Sequence, residues 1–407
     1  MTEHIFPGRV GGVIQANASK SAMQRACAAA LLAKGTTYIK NAGTSNDDKA
    51  ALEIIRNLGA TIGSVDDNTI AIHSKGVHPV SRGIHCGESG LSIRMFTPIA
   101  SLASSPIEIT GEGSLTVRPM DFFDEVLPKL GVAIQSNAGK LPMTVHGPLQ
   151  PADIEVDGSL SSQFLTGLLM AFSAANAKGV SLHVRDLKSK PYIDLTLQLM
   201  QTFGLPVPEN RDHRSFYFHG TEVNSSVDLK REYTVEGDWS GAAFILVAGA
   251  IAGGEVRVNG IFNQSRQADK KIVDALLSAG AYLHVSDDHV FVRRSNLQGF
   301  NFDATDCPDL FPPLVALAAL CKGPTTIHGL KRLKHKESDR GATLKEEFDK
   351  LNVEVKLEGD IMTIMGTGKV QVLNQKLNSH HDHRIAMAVA VAALCADIDV
   401  EIRNADA

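Results

Sequence analysis

The sequence contains no C-x-x-C pair. Its five cysteines, Cys27, Cys86, Cys307, Cys321 and Cys395, are scattered along the chain, which argues against a disulfide framework or a zinc site and points to a reduced cytoplasm. Long apolar runs are also missing. The longest, Ala242 to Ala252, falls well short of the roughly 20 residues a bilayer span needs, and the amino terminus, MTEHIFPGRV, has no apolar core for export. Nor is one sign of charge in excess. With 40 basic and 45 acidic residues and a net charge of −5, no overall field gathers nucleic acid, so an anionic ligand must be held locally. No obvious exposed apolar stripe marks a partner surface, and a monomer is expected. Only 21% of residues are charged and 43% are hydrophobic. A chain of 407 residues with this balance can bury a substantial core in two domains or one large one.

What is present is a repeat. Five helical patterns end alike, in IIRNLGATI, VLPKLGVAI, LMQTFGLPV, LLSAGAYLHV and EFDKLNVEV. Their turn residues Gly59, Gly131, Gly204, Gly280 and Asn352 are 72, 73, 76 and 72 residues apart. Gly and Asn tolerate the left-handed conformation that closes a helix before a strand, and a repeat of this size is a small α/β unit. Each unit also holds an earlier, far more apolar helix entered from a polar turn: SKSAMQRACAAALLAKG, GESGLSIRMFTPIASLA, GSLSSQFLTGLLMAFSAA, GDWSGAAFILVAGAIAGG, PDLFPPLVALAALCKG and HDHRIAMAVAVAALCAD. A helix apolar on nearly all sides is buried. A β-rich segment follows each one. Buried helices inside and strands outside predict an inside-out α/β arrangement of six similar units.

Charged and small polar residues cluster where these helices begin: Lys20, Ser21 and Arg25; Gly90 and Arg94; Ser161, Ser162 and Gln163; Asp238; Asp309; His383 and Arg384. Exposed N–H groups and the helix dipole favour anions there by on the order of 0.3–1 kcal/mol each. Capping alone explains a Ser or Asp at any single helix start. Six similar entries point instead to an anion site.

The segments ASKSAMQR, GEGSLTVRPM, VDGSLSSQFLTGLLM, SKPYIDLTL, VEGDWSGAAF, HKESDR and HDHRIAM resemble, in order and over nearly the full chain, the 5-enolpyruvylshikimate-3-phosphate synthases, a family of enolpyruvyl transferases. The resemblance implies an inside-out α/β barrel of six βαβαββ units in two similar domains with buried parallel helices, and ligands held between the domains. It implies a discontinuous first domain, 1–18 plus 236–407, with 19–235 as the second. Closure over the ligands would expel water. The implied reaction joins phosphoenolpyruvate to shikimate 3-phosphate, with no metal or organic cofactor.

By the same resemblance, shikimate 3-phosphate would be held by Ser161, Ser162 and Ser189 at its phosphate, with Lys20, Ser21 and Arg25 around its carboxylate side. Gln163, Tyr192, Asp309 and Lys336 would surround the ring. Phosphoenolpyruvate would meet Lys20, Gly90, Arg118, Gln163, Arg340 and Arg384, with His383 in support. Two ligands that each carry a phosphate and a carboxylate need such a crowd of guanidinium forks and hydroxyls. Asp309 would be the base at the 5-hydroxyl, Glu337 the acid at the methylene carbon, and Lys336 and Lys20 would assist.

The densest motif is KHKESDR, Lys334 to Arg340, with six charged or titratable side chains in seven residues. By itself it reads as a solvated helix start in which Glu337 and Asp339 favour the dipole. With the other motifs it reads as chemistry. Asp309, after Pro308 at a helix entry, could be explained by capping alone, and His383 and Arg384 as ordinary helix-start residues. Lys270–Lys271 and Lys345–Glu347 read as solvated surface.

Some positions depart from the family pattern. Glu88 stands where Asn is usual and Leu91 where Thr is usual, both beside Gly90; the added charge is expected to weaken substrate affinity and the bulk to alter how phosphonate inhibitors fit. Arg332 occupies a place where Asn often contacts the shikimate phosphate. The sixth unit reaches Ala407 just past its first strand, where the resemblance leads to a further Lys-bearing segment and a last helix. Two alternatives stay open. One is the sister transferase acting on UDP-N-acetylglucosamine, whose loop carries a reactive Cys where this sequence has Gly113. The other is a ligand-binding member of the fold without catalysis.

Overall fold

The six apolar runs are helices. They span Lys20–Leu32, Gly90–Ala100, Ser162–Ala174, Trp239–Ala252, Phe311–Ala319 and His383–Ala393. In the first five nearly every residue is buried, as expected for helices with no polar face, whereas His383–Ala393 buries one side only and leaves Ala386, Met387, Ala390 and Val391 half-buried. The structure, a computed structural model, describes residues 1–159, 161–220, 230–334 and 336–406. His335 of the charged motif and the terminal Ala407 lie outside the described residues.

The chain forms two compact units, Ala18–Glu236 on one hand and Met1–Asn17 with Gly237–Ala407 on the other. In the Ala18–Glu236 unit three four-stranded sheets share one plan. Strand Gly83–His85 pairs in parallel with Ile107–Thr110 across the buried helix Gly90–Ala100, and Ile107–Thr110 pairs antiparallel with Met143–His146, which takes Ala133–Ser136 at the edge. The same order recurs for Ile154–Asp157, Val180–Arg185, Ser215–Phe218 and Glu209–Arg211. It recurs again for Lys230–Thr234, Gly35–Lys40, Thr69–Ser74 and Thr61–Ser64, where the first strand comes from the far end of the unit.

The other unit repeats the plan with Val10–Gln15, Gly253–Asn259, His289–Arg293 and Tyr282–Val285, and with Asn301–Asp303, Lys322–His328, Ile361–Thr367 and Glu354–Glu358. Its third sheet has three strands, Lys376–Asn378, Val400–Arg403 and, from the amino terminus, Thr2–Ile5. The parallel pair bridged by a helix followed by an antiparallel pair is the βαβαββ unit, with the helix inside and the sheet outside.

The outer helices end where the repeat predicts. Gly59, Gly131, Gly204, Gly280 and Asn352 have φ of 109, 75, 72, 83 and 55°. Within each unit the three buried helices pack on one another, and small residues set how closely. A Cβ on Gly167 would lie 2.6 Å from the Met95 carbonyl oxygen and 2.8 Å from that of Arg94, so the helices Gly90–Ala100 and Ser162–Ala174 meet backbone to backbone there. Among the described residues no helix is long and apolar enough to cross a membrane.

Candidate active site

Capping accounts for part of the polar clustering at the helix starts. Side-chain oxygens of Ser19, Ser89, Ser161, Asp238 and Asp382 accept backbone N–H groups of Ala22, Ser92, Gln163, Ser240 and Arg384. Asp339 likewise caps the helix Arg340–Asp349 through Ala342 N–H. Asp309 does not cap. It sits in the turn Pro308–Leu310 with no side-chain bond to the helix it precedes, and its carboxylate goes to three cations instead. Its Oδ1 accepts from Lys336 Nζ at 3.0 Å and Arg340 Nη1 at 2.8 Å, and its Oδ2 lies 3.4 Å from Arg384 Nη2.

Arg340 is the hub of this cluster. Only 1% exposed, it donates Nε to Asp382 Oδ2 at 2.7 Å and Nη2 to Asp382 Oδ1 at 3.2 Å, a fork on a carboxylate, and Nη2 also reaches Glu337. Ser338 Oγ donates to Asp382 Oδ2 at 3.1 Å. Asp309, Lys336, Glu337 and Arg340 are therefore one hydrogen-bonded cluster to which Arg384 is joined by an ion pair, while His383 stands beside them, half-buried, at the first turn of its helix. Burial alone would raise the Asp309 carboxyl, yet Arg384, Lys336 and Arg340 together hold it well below the ordinary carboxylate range. Burial lowers Lys336, with Asp309 opposing. For Arg340 burial is outweighed by Glu337, Asp382 and Asp309, which raise it. Next to this cluster lies Asp269, fully buried: Ser240 Oγ donates to its Oδ2, and Oδ1 has no hydrogen-bond partner. Burial first and the charge of Asp309 second push Asp269 up to about 6, against the pull of Arg384.

The Ala18–Glu236 unit carries a second set. Arg25, 1% exposed, donates Nε to Thr196 Oγ1 at 2.9 Å and Nη1 to the Ser21 carbonyl at 2.9 Å, and its guanidinium lies 5.7 Å from the centre of the Tyr192 ring. Burial lowers it to about 10, with Tyr192 and Tyr233 opposing. Lys20 opens the same helix, its Nζ 3.4 Å from Asp47. At Gly90 the backbone is flanked by two guanidinium groups: an added Cβ would lie 2.6 Å from Arg118 Nη1 and 3.0 Å from Arg94 Nη1. Arg94 Nη1 donates to Gln163 Oε1 at 3.0 Å and its guanidinium lies 5.2 Å from the centre of the Phe164 ring. Ser161 and Ser162 start the helix that carries Gln163. Ser189 is buried with φ of 55°, before the helix Lys190–Thr202 that bears Tyr192 and Thr196.

Sequence reasoning missed Asp382, Asp269, Thr196 and the anchoring role of Arg94. Two of the departures can be placed. Glu88 is exposed, and its carboxylate fills the space over Gly113, which has φ of 56°, so a side chain at 113 would collide with it. Arg332 Nη1 donates to the Thr305 carbonyl at 3.1 Å. One expectation is corrected. Glu347, read as solvated, is fully buried because its helix turns that face toward the segment Asn378–His380.

The sequence model of the family described as EPSP synthase (3-phosphoshikimate 1-carboxyvinyltransferase) matches residues 6–407. A 3-phosphoshikimate 1-carboxyvinyltransferase of Clostridium novyi is 33% identical over 98% of this chain and 92% of its own length. One from Methanobrevibacter smithii is 34% identical over 98% and 92%. Among solved structures, EPSP synthase from Acinetobacter baumannii superimposes with a TM-score of 0.80 at 25% identity, covering 100% of this chain and 94% of that one. The enolpyruvyl transferase NikO of Streptomyces tendae shares the fold, with a TM-score of 0.76 at 18% identity over 99% and 93%.

Proposed function

The chain belongs to the EPSP synthase (3-phosphoshikimate 1-carboxyvinyltransferase) family, and from that premise we propose how its own residues carry the enolpyruvyl group of phosphoenolpyruvate to the 5-hydroxyl of shikimate 3-phosphate. Asp309 takes the hydroxyl proton while Glu337 protonates the methylene carbon, and the new C–O bond gives a tetrahedral adduct. A proton then returns from the methyl group, phosphate leaves, and the double bond is restored. The observation that carries this reading is the cluster in which Asp309, Lys336, Glu337 and Arg384 are joined through or beside Arg340.

That cluster suggests what starts the reaction. A carboxylate pinned by three cations is a poor base. Phosphoenolpyruvate, held in this reading by Arg340 and Arg384 with Lys20, Gly90, Arg118 and Gln163, offers those guanidinium groups a phosphate and a carboxylate in place of Asp309. Drawing them off raises the Asp309 carboxyl and makes it basic as the acceptor arrives. Shikimate 3-phosphate is assigned to Ser161, Ser162, Ser189, Lys20, Ser21, Arg25, Gln163 and Tyr192, with Asp309 and Lys336 at its ring. The two compact units serve as the family's two domains in this reading. The chemistry needs only proton transfer and anion binding, which supports a cofactor-free enzyme; we read it as a cytoplasmic monomer acting on small molecules.

The test is phosphate release from phosphoenolpyruvate with shikimate 3-phosphate or UDP-N-acetylglucosamine as acceptor. Release is expected with shikimate 3-phosphate alone, and Glu337→Gln should lower it by roughly a hundred- to ten-thousand-fold. Full activity in that variant would remove Glu337 from the proton path, and release with the nucleotide sugar would reassign the acceptor.

A further inference from the structure

The helix Arg340–Asp349 is tied twice to the turn that enters the helix His383–Ala393. The first tie is at the cluster already described, where Arg340 forks onto Asp382. The second lies two helical turns on, at Glu347, which shares a helix face with Arg340. Its Oε2 accepts Asn378 N–H at 2.9 Å and its Oε1 pairs with His380 Nε2 at 2.7 Å. Between the ties, His380 and His381 have φ of 53 and 57°. Two consecutive non-glycine residues in the left-handed region are strained, and such a turn persists only where its surroundings over-determine it. Here they do. Asn378 Oδ1 accepts from His380 N–H at 2.8 Å and Asn404 Nδ2 at 3.0 Å, Ser379 Oγ accepts from His381 N–H at 3.1 Å, and Ser379 Oγ donates to the Asn404 carbonyl at 2.6 Å.

We infer that the His380–Glu347 pair is a positioning latch: it holds the strained turn so that Asp382 both caps the helix of Arg384 and aims Arg340. Asp382 does both with one carboxylate, since its Oδ1 accepts Arg384 N–H at 3.0 Å while the same carboxylate binds the Arg340 fork. A small rotation of the turn therefore moves both guanidinium groups. The other groups facing His380 are Glu346, at 3.8 Å, and Lys350, whose Nζ bonds Glu347 at 2.7 Å and Glu346 at 3.3 Å. Glu346, Glu347 and His380 bring three potential metal-ligand atoms within 4.8 Å of one another, but the Lys350 ammonium already supplies the positive charge both carboxylates call for. The pair does structural aiming, not metal binding. The inference rests on the assignment of Arg340 and Arg384 to phosphoenolpyruvate.

The experiment compares His380→Ala and His380→Gln with the unaltered protein by steady-state kinetics and by the Arg340 Nε–H resonance in arginine-labelled protein, assigned with Arg340→Lys. His380→Ala should raise KM for phosphoenolpyruvate about tenfold, leave KM for shikimate 3-phosphate within threefold, and move the Arg340 signal. His380→Gln keeps a donor toward Glu347 and should recover most of the loss. An unmoved Arg340 signal, or a lowered Tm with KM for phosphoenolpyruvate unchanged, would reduce the pair to a staple and overturn the inference. If the unaltered protein releases no phosphate with either acceptor, the functional reading fails while the resonance still decides the latch. Should His380→Ala not fold, Glu347→Gln is read in the same two ways, with a KM rise of about threefold expected and an unmoved resonance again overturning the latch.

Discussion

Arg25 and Arg340 are equally sealed from solvent, each 1% exposed, yet they are held in opposite ways. Arg340 is surrounded by the carboxylates of Asp382, Asp309 and Glu337. Arg25 has a hydroxyl, a carbonyl and the face of a tyrosine, and among the described residues no carboxylate pairs with it. The first is a charge already neutralised, in a cluster rich in the carboxylates that proton transfer needs. The second is a buried cation left short of a counterion, which burial lowers to about 10. A buried cation with neutral partners is suited to pairing with an anionic ligand. In the proposed reading, the contrast between the two arginines becomes a division of work: Arg25 offers its charge to shikimate 3-phosphate, while the Arg340 cluster balances cations against acids so that phosphoenolpyruvate can unbalance them.

Removing each guanidinium in turn breaks the comparison most sharply. Arg340→Met leaves Asp382, Asp309 and Glu337 without their shared partner, and breaking a buried pair in this way costs about 3–5 kcal/mol. Arg25→Met takes away a charge whose partners are neutral, and its cost in stability should stay within about 1 kcal/mol. Its ligand affinity should suffer instead, with KM for shikimate 3-phosphate rising at least tenfold. Denaturant unfolding alongside steady-state kinetics separates the two. Equal losses of stability would mean that Arg25 has a hidden counterion.

The same contrast shows what the sequence could reveal. The six buried helices were legible because an all-round apolar run has one place to go, and the closing turns because Gly and Asn mark the left-handed conformation at a regular interval. KHKESDR reads as chemistry only together with the other motifs, a reading that remains a proposal. Its own two acids then split, Asp339 capping a helix and Glu337 joining Arg340. The partners were not legible. Arg340 meets Asp382 from 42 residues away and Arg25 meets Thr196 from 171 away, and no local pattern encodes such a pairing. Glu347 was misread for the same reason: in KEEFDK it looks like one more solvated acid, and only the fold brings His380 and Asn378 against it.

A smaller change at Gly90 tests whether the guanidinium groups of Arg94 and Arg118 are placed as well as present. The Cβ of Gly90→Ala would stand 2.6 Å from Arg118 Nη1 and 3.0 Å from Arg94 Nη1, so both guanidinium groups must give way. Displacement without removal should raise KM for phosphoenolpyruvate about tenfold and leave the folded state intact, since the helix itself gains a better former. An unchanged KM would show that Arg118 is not aimed at that ligand.

The smallest expected effect lies at Asp269, beside the Arg340 cluster, where the balance of charges is incomplete. Its folded carboxyl is raised from 3.8 to about 6, chiefly by burial. A raised acid holds its proton in the folded chain after the unfolded chain has lost it, so stability falls as pH climbs from about 4 through 6. Asp309 runs the other way: held well below 3.8, it adds stability that is fully present above that value and is lost only in more acid solution. Between pH 5 and 8 Asp309 contributes a constant, and the slope assigned to this pair belongs to Asp269. Asp269→Asn removes the slope. Unfolding free energies of the two proteins should therefore diverge with rising pH, the variant gaining roughly 1–2 kcal/mol on the original between pH 5 and pH 8. A difference that stays flat over that range would mean that Arg384 offsets the Asp269 charge in full, and that this cluster is as completely paired as its hub.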